Sequence, residues 1–250
     1  MNSISLGDQP AWRRSTFRTF LVTSRIKYYY DRYSTKAKPY EYVSTRGLLE
    51  IIHKVTGWDI KIFEVEKSVE WEVKHFKGQL LRYENEKRAV LLIPALKEAE
   101  NDRLGVSRCE RRFAVVKEIC HLIIDDPGVE VSDITSLVNS IVVNGQSMIL
   151  VGVDDPILIQ EHLAELAALE LLLWSEYRQG YLQKINDGEL TTMEIAQRFS
   201  IPESKVITLV NQNGFIETCR EDYYDNLELL EGYYVQAMPA DIDVENDNSW

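Results

Sequence analysis

Lys117, Glu118 and His121, with Glu161 and Glu165 farther along the chain, are the side chains whose types and spacing invite chemistry. In a helix the first three project from one side, and Glu161 and Glu165, four residues apart, share a face. A glutamate beside a helical histidine is the pair that can hold a divalent metal and activate its bound water. A protonated lysine does the reverse: it has no lone pair to give, and it repels a divalent cation at close range. The plain competing reading makes Lys117, Glu118 and His121 the wet side of an amphipathic helix, since a lone Glu-x-x-His arises readily by chance.

Two helices must position these groups. The first is expected over Arg111–Ile124, with Phe113, Val116, Ile119, Cys120 and Ile123 available for packing, and with a stop at Asp125-Asp126-Pro127-Gly128. The second starts at Asp155-Pro156 and is expected to run past Trp174 to about Gln179, before Gly180. His162 and Cys120 sit about 100° around their helices from the metal-facing positions and are not expected as ligands. Cys120 reads as a small core residue.

Other elements support this pair. Asp8-Gln9-Pro10 introduces a basic, Tyr-rich helix to about Ser34, with Phe17, Leu21, Ile26 and Tyr29 packing on the body. Ser44-Thr45 opens a helix through about Val55, carrying Leu48, Leu49 and Ile52, and Gly57 ends it. Ile60 and Ile62 alternate in a short strand that Val65 does not continue. Residues 75–83 and 88–94 read as paired strands joined by Glu84-Asn85-Glu86-Lys87, with His75 a surface or sheet residue. Residues 101–105 read as a loop, 132–138 as a short helix, and 148–153 as a strand or buried linker. Asn186-Asp187-Gly188 marks a turn. Thr191 and Glu194 form a capping box, and Ser200-Ile201-Pro202-Glu203 reads as a second one. The two short helices expected over 191–211 resemble a helix-turn-helix. Lys205 is the one basic residue before Leu209 in the second, which favours a structural pair over a DNA-reading one.

The chain has 250 residues, 45% hydrophobic and 27% charged, as in ordinary globular domains, and a formal charge of -12. That charge disfavours broad nucleic-acid binding. The expected organisation is a basic helical extension over 1–40, a main domain over 41–220 and an acidic tail over 221–250. The first holds eight Arg or Lys against two acidic residues; the last holds nine acidic residues and no Arg or Lys. Three cysteines form no even-numbered disulfide framework, and no apolar run approaches membrane-spanning length, so the expected location is cytoplasmic.

The sequence Arg111-Arg112-Phe113 followed by Lys117-Glu118-x-x-His121, with the Glu161–Trp174 helix, resembles the ImmA/IrrE family of zinc metallopeptidases. The family's first core helix usually reads Arg-Arg-Phe, a few residues, then His-Glu-x-x-His. Its second helix typically carries a Glu, then Ala-Asn or Ala-Asp, then Phe-Ala-Ala and Leu-Leu-Met-Pro. The resemblance covers roughly 45–215 and implies an α+β, zincin-like helical core on a small three-stranded sheet, with the C-terminal helix-turn-helix-like pair. It further implies that His121 and Glu161 are metal ligands, Glu118 the general base and Glu165 the acid orienting His121 from behind. Lys117 stands where the family has its first ligand. Ala167 for Phe and Trp174 for Pro are further departures. Members of the family are cytoplasmic or phage-associated peptidases that cut a partner repressor, often under stress control.

The resulting expectation is a regulatory protein with a degenerate metallopeptidase domain, holding either no cofactor or zinc. It binds a protein partner, such as a repressor or other transcriptional regulator, with proteolysis reduced or absent; neither nucleic acid nor membrane is the expected partner. An ion pair between Lys117 and Glu161, or between Lys117 and Glu118, would then fill the metal position. The alternatives are an active zinc endopeptidase that cleaves a repressor and a DNA-binding regulator.

Overall fold

Local signals set most helix boundaries in the computed structural model, which describes residues 11–33, 42–65, 78–96, 106–124 and 156–225. The expectations for residues 8–10, His75, 101–105, 132–138, 148–153 and the end of the acidic tail lie outside the described residues.

Helix α1 spans Ala11–Tyr33 and buries Phe20, Leu21, Val22, Ile26 and Tyr30. Helix α2, Thr45–Thr56, begins where the Ser44 hydroxyl accepts from the Gly47 amide and ends at Gly57. At φ 74° Gly57 turns its amide back to the His53 carbonyl, a left-handed conformation in which glycine meets no Cβ penalty. Strand β1 is Asp59–Val65, β2 is Gln79–Tyr83 and β3 is Arg88–Pro94. A single 3₁₀ turn over Glu84–Glu86 joins β2 to β3, with Lys87 at φ 49° closing it. The sheet is mixed, in the order β1-β3-β2: β1 pairs parallel to β3, and β2 antiparallel to it. Central β3 alternates, burying Ala89, Leu91 and Ile93, as a strand with one face on a core should.

Helix α3, Arg108–Ile124, opens with a reciprocal pair: Ser107 Oγ accepts from the Glu110 amide, and Glu110 Oε2 accepts from the Ser107 amide. It contacts β2, β3, α1 and α2, so its whole length from Arg112 to Leu122 is buried. Helix α4, Pro156–Leu172, lies against α3 and buries Ala164, Ala167 and Ala168, small side chains that let helices approach closely.

The second core helix is shorter than its sequence implies. It stops at Leu172, and a separate helix α5, Ser175–Asn186, follows. The Trp174 indole N–H donates to the Leu171 carbonyl at 3.1 Å, and the ring makes an edge contact with Tyr30. The break thus falls at a residue in tertiary aromatic contact, in a run with no glycine or proline to mark it. Helix α6, Thr192–Phe199, has the capping box expected at Thr191 and Glu194. The second box is not formed. Ser200 is instead the left-handed C-cap of α6 at φ 50°, and Glu203 accepts from the Thr192 hydroxyl at 2.7 Å. Helix α7, Glu203–Asp225, is much longer than the short helix expected. The architecture is therefore α+β: a helical core on a three-stranded sheet, closed by a bent C-terminal helical pair.

A group of charges centred on the buried Arg178 and Glu170 joins four of these helices. Arg178 of α5 is fully buried and binds Glu170 of α4 and Glu217 of α7. Lys27 of α1 reaches Glu170 and Glu176, and Arg220 completes the pairing of Glu217.

Candidate functional site

The polar residues of α3 face inward. Lys117, Glu118 and His121 are 6%, 5% and 8% exposed, which overturns their reading as the wet side of the helix. The reason is α4, whose Glu161 side chain meets them. Lys117 Nζ donates to Glu161 Oε2 at 2.7 Å and stands 3.3 Å from Glu118 Oε1. The other oxygen, Glu161 Oε1, lies 3.0 Å from His121 Nε2. Four of the five candidate residues thus meet, although 44 positions separate Lys117 from Glu161.

Electrostatics locks this arrangement. Burial opposes the charge on Lys117, but the Glu118 and Glu161 carboxylates outweigh it and hold the amine above its ordinary value. Burial likewise opposes ionisation of Glu161, and the Lys117 ammonium with the His121 imidazole overcomes that, keeping the carboxyl well below the usual range. Both groups are charged at neutral pH.

Glu165, the fifth candidate, is bound through Oε2 by Lys205 of α7 at 2.7 Å. The same ammonium stands 5.2 Å from the centre of the Phe113 ring. The one basic residue at the start of the last helix is therefore engaged with α3 and α4. Neighbouring His162 titrates below its ordinary value because burial outweighs the pull of Glu165 and Glu161. Cys120 is buried and in no disulfide, as expected of a core residue.

The Arg-Arg-Phe segment is structural in its contacts. Arg111 pairs with Glu64 of β1. Arg112 is buried, lies 4.4 Å from the centre of the Tyr42 ring, and donates to the carbonyls of Val43, Phe199 and Ser200.

Two residues at the site escaped the sequence reading. Gly78, just before edge strand β2, runs against Glu118: a Cβ there would stand 3.0 Å from both Glu118 Cγ and Oε1. Its φ of 154° also favours glycine. Arg82 of β2 donates to the His121 carbonyl. The glycine at the head of a strand was the available signal, since isolated glycines often mark close backbone approach.

The donor set does not fit a resident zinc ion. Zinc needs three lone-pair donors at about 2.0–2.2 Å for N and O ligands, and among the described residues no group of three His, Cys, Asp or Glu is arranged to hold a metal. His121 and Glu161 are the two ligands the resemblance supplies, and the Lys117 ammonium lies on the second oxygen of Glu161. At about 4 Å, two like unit charges repel by roughly 4 kcal/mol at an effective dielectric of 20, and a divalent ion doubles that. No step of chemistry is routed through a metal here.

No family model, curated protein or solved structure matches the chain. No described helix is long and apolar enough to cross a membrane.

Proposed function

We propose that this chain is a zincin-like regulatory protein, related to the ImmA/IrrE metallopeptidases, whose proteolysis is lost or reduced and which acts by binding a partner regulator. The observation that carries the reading is the buried meeting of Lys117, Glu118 and His121 on α3 with Glu161 on α4. These are the positions the resemblance assigns to a peptidase centre, with an ammonium at the first ligand position. Glu118 has an ammonium for its neighbour where a general base would need a water to activate. The proposed partner is a protein, such as a repressor, rather than duplex DNA, because Lys205 is engaged by Glu165 and the net charge is -12.

Two measurements test this. In the first, the chain and Glu118→Gln are incubated with a pool of quenched fluorescent peptides and excess zinc. Equal background signal from both is expected, whereas zinc-dependent cleavage lost in Glu118→Gln would establish the active endopeptidase instead. In the second, two-hybrid selection of the full chain against its own genome is expected to return a transcriptional regulator repeatedly. A selection that returns none removes the partner half of the proposal.

A further inference from the structure

The side chains between α3 and α4 already contain a cation. Lys117 Nζ is 2.7 Å from one carboxylate and 3.3 Å from another, and the far oxygen of the first meets an imidazole at 3.0 Å. Buried carboxylates need a counter-charge held at close range; a metal ion is one solution and a buried ammonium is another. An ammonium differs from a metal in being covalently tethered, so no chelator or change in metal supply removes it.

We propose that Lys117 is the built-in cation of this centre, standing where a divalent ion would sit among Glu118, His121 and Glu161, so that the folded site is complete without metal. The centre is then permanently loaded. Its structure does not respond to zinc supply, and whatever binds there meets a fixed positive charge with no open coordination position. The inference rests on the metallopeptidase half of the proposed function for the place of the ion and on side-chain geometry for the rest: a failed search for a regulator leaves it standing, and stoichiometric zinc in the native chain overturns it whatever the partner.

The test uses the full chain, with metal content by mass spectrometry and thermal unfolding with chelator or excess zinc. The native chain is expected to carry under about a tenth of an equivalent of zinc and to keep the same Tm in both conditions. Lys117→Met, which strands Glu118 and Glu161, is expected to lower Tm by roughly 10 °C. Lys117→His is expected to take up one zinc per chain and to gain about 5 °C or more with excess zinc. One zinc per native chain, an unchanged Tm in Lys117→Met, or a folded Lys117→His that binds no zinc would each overturn the proposal. Should Lys117→Met not fold, the double variant Lys117→Met/Glu161→Gln decides. Removing one stranded carboxylate is expected to recover part of the loss, and no recovery overturns the idea.

Discussion

Two sets of charges lie between the described helices, one reaching the surface at Glu176, and they are built on different plans. Around Arg178 three cations, Lys27, Arg178 and Arg220, meet three carboxylates, Glu170, Glu176 and Glu217. The set is neutral, spans α1, α4, α5 and α7, and includes no imidazole. Around Lys117 one ammonium faces two carboxylates and an imidazole, under a glycine at the head of an edge strand. The first set is arranged as a fastening: every charge has an opposite beside it. The second gathers two carboxylates and an imidazole about one ammonium, where backbone approaches a carboxylate closely. The two sets differ in composition and in the approach of the strand, not in the mere presence of buried charge.

The largest effect should come from breaking the neutral set at its centre. Arg178→Met leaves Glu170 and Glu217 without their buried partner, which costs on the order of 3–5 kcal/mol. Thermal unfolding should show this variant losing at least as much as Lys117→Met, because Arg178 is fully buried and Lys117 slightly less so. A smaller loss would mean that the fastening is not where the fold's stability lies.

Next in size is Glu161→Gln, about 1–3 kcal/mol from the lost charged hydrogen bond. Its signature is in pH. The folded carboxyl is held below its ordinary value, so its contribution is complete above the usual glutamate range and is lost as pH falls below about 4. Lys117 is held above its ordinary value, so its contribution persists below the lysine range and fades only as pH rises through the raised value. Tm measured from pH 6 down to pH 3 should fall more steeply in the native chain than in Glu161→Gln; parallel curves would show that the pairing contributes nothing.

The smallest effect tests the approach of the strand. Gly78→Ala should cost about 1–2 kcal/mol, from the unfavourable φ and the crowding of Glu118. Urea unfolding would read it, and a neutral result would mean that Glu118 moves aside freely.

How much of this was legible in sequence follows from how local each signal is. The Ser44 cap, the Gly57 stop and the Thr191–Glu194 box depend on residues within one turn, and all three formed as read. The break before Ser175 coincides with Trp174 meeting Tyr30 across the core, and no glycine or proline nearby announces it. Ser200 shows that a Ser-x-x-Glu pattern can be spent on ending one helix rather than starting the next. Ser107 and Glu110 do form that pattern's reciprocal bonds, within a stretch read as loop followed by helix. At the site, residue types picked out Lys117, Glu118, His121 and Glu161, while the competing reading placed the first three in water. Their burial rests on a pairing 44 residues distant, which periodicity along one helix cannot see.

The three carbonyls held by Arg112 carry a consequence for how the chain comes apart. One buried guanidinium, near the start of the site-bearing helix, ties it to the segment before α2 and to the turn between α6 and α7. Peeling the C-terminal pair away would strand that charge beside α3, five residues before Lys117. Fraying of the last helices is therefore expected to be felt at α3, close to the charged centre.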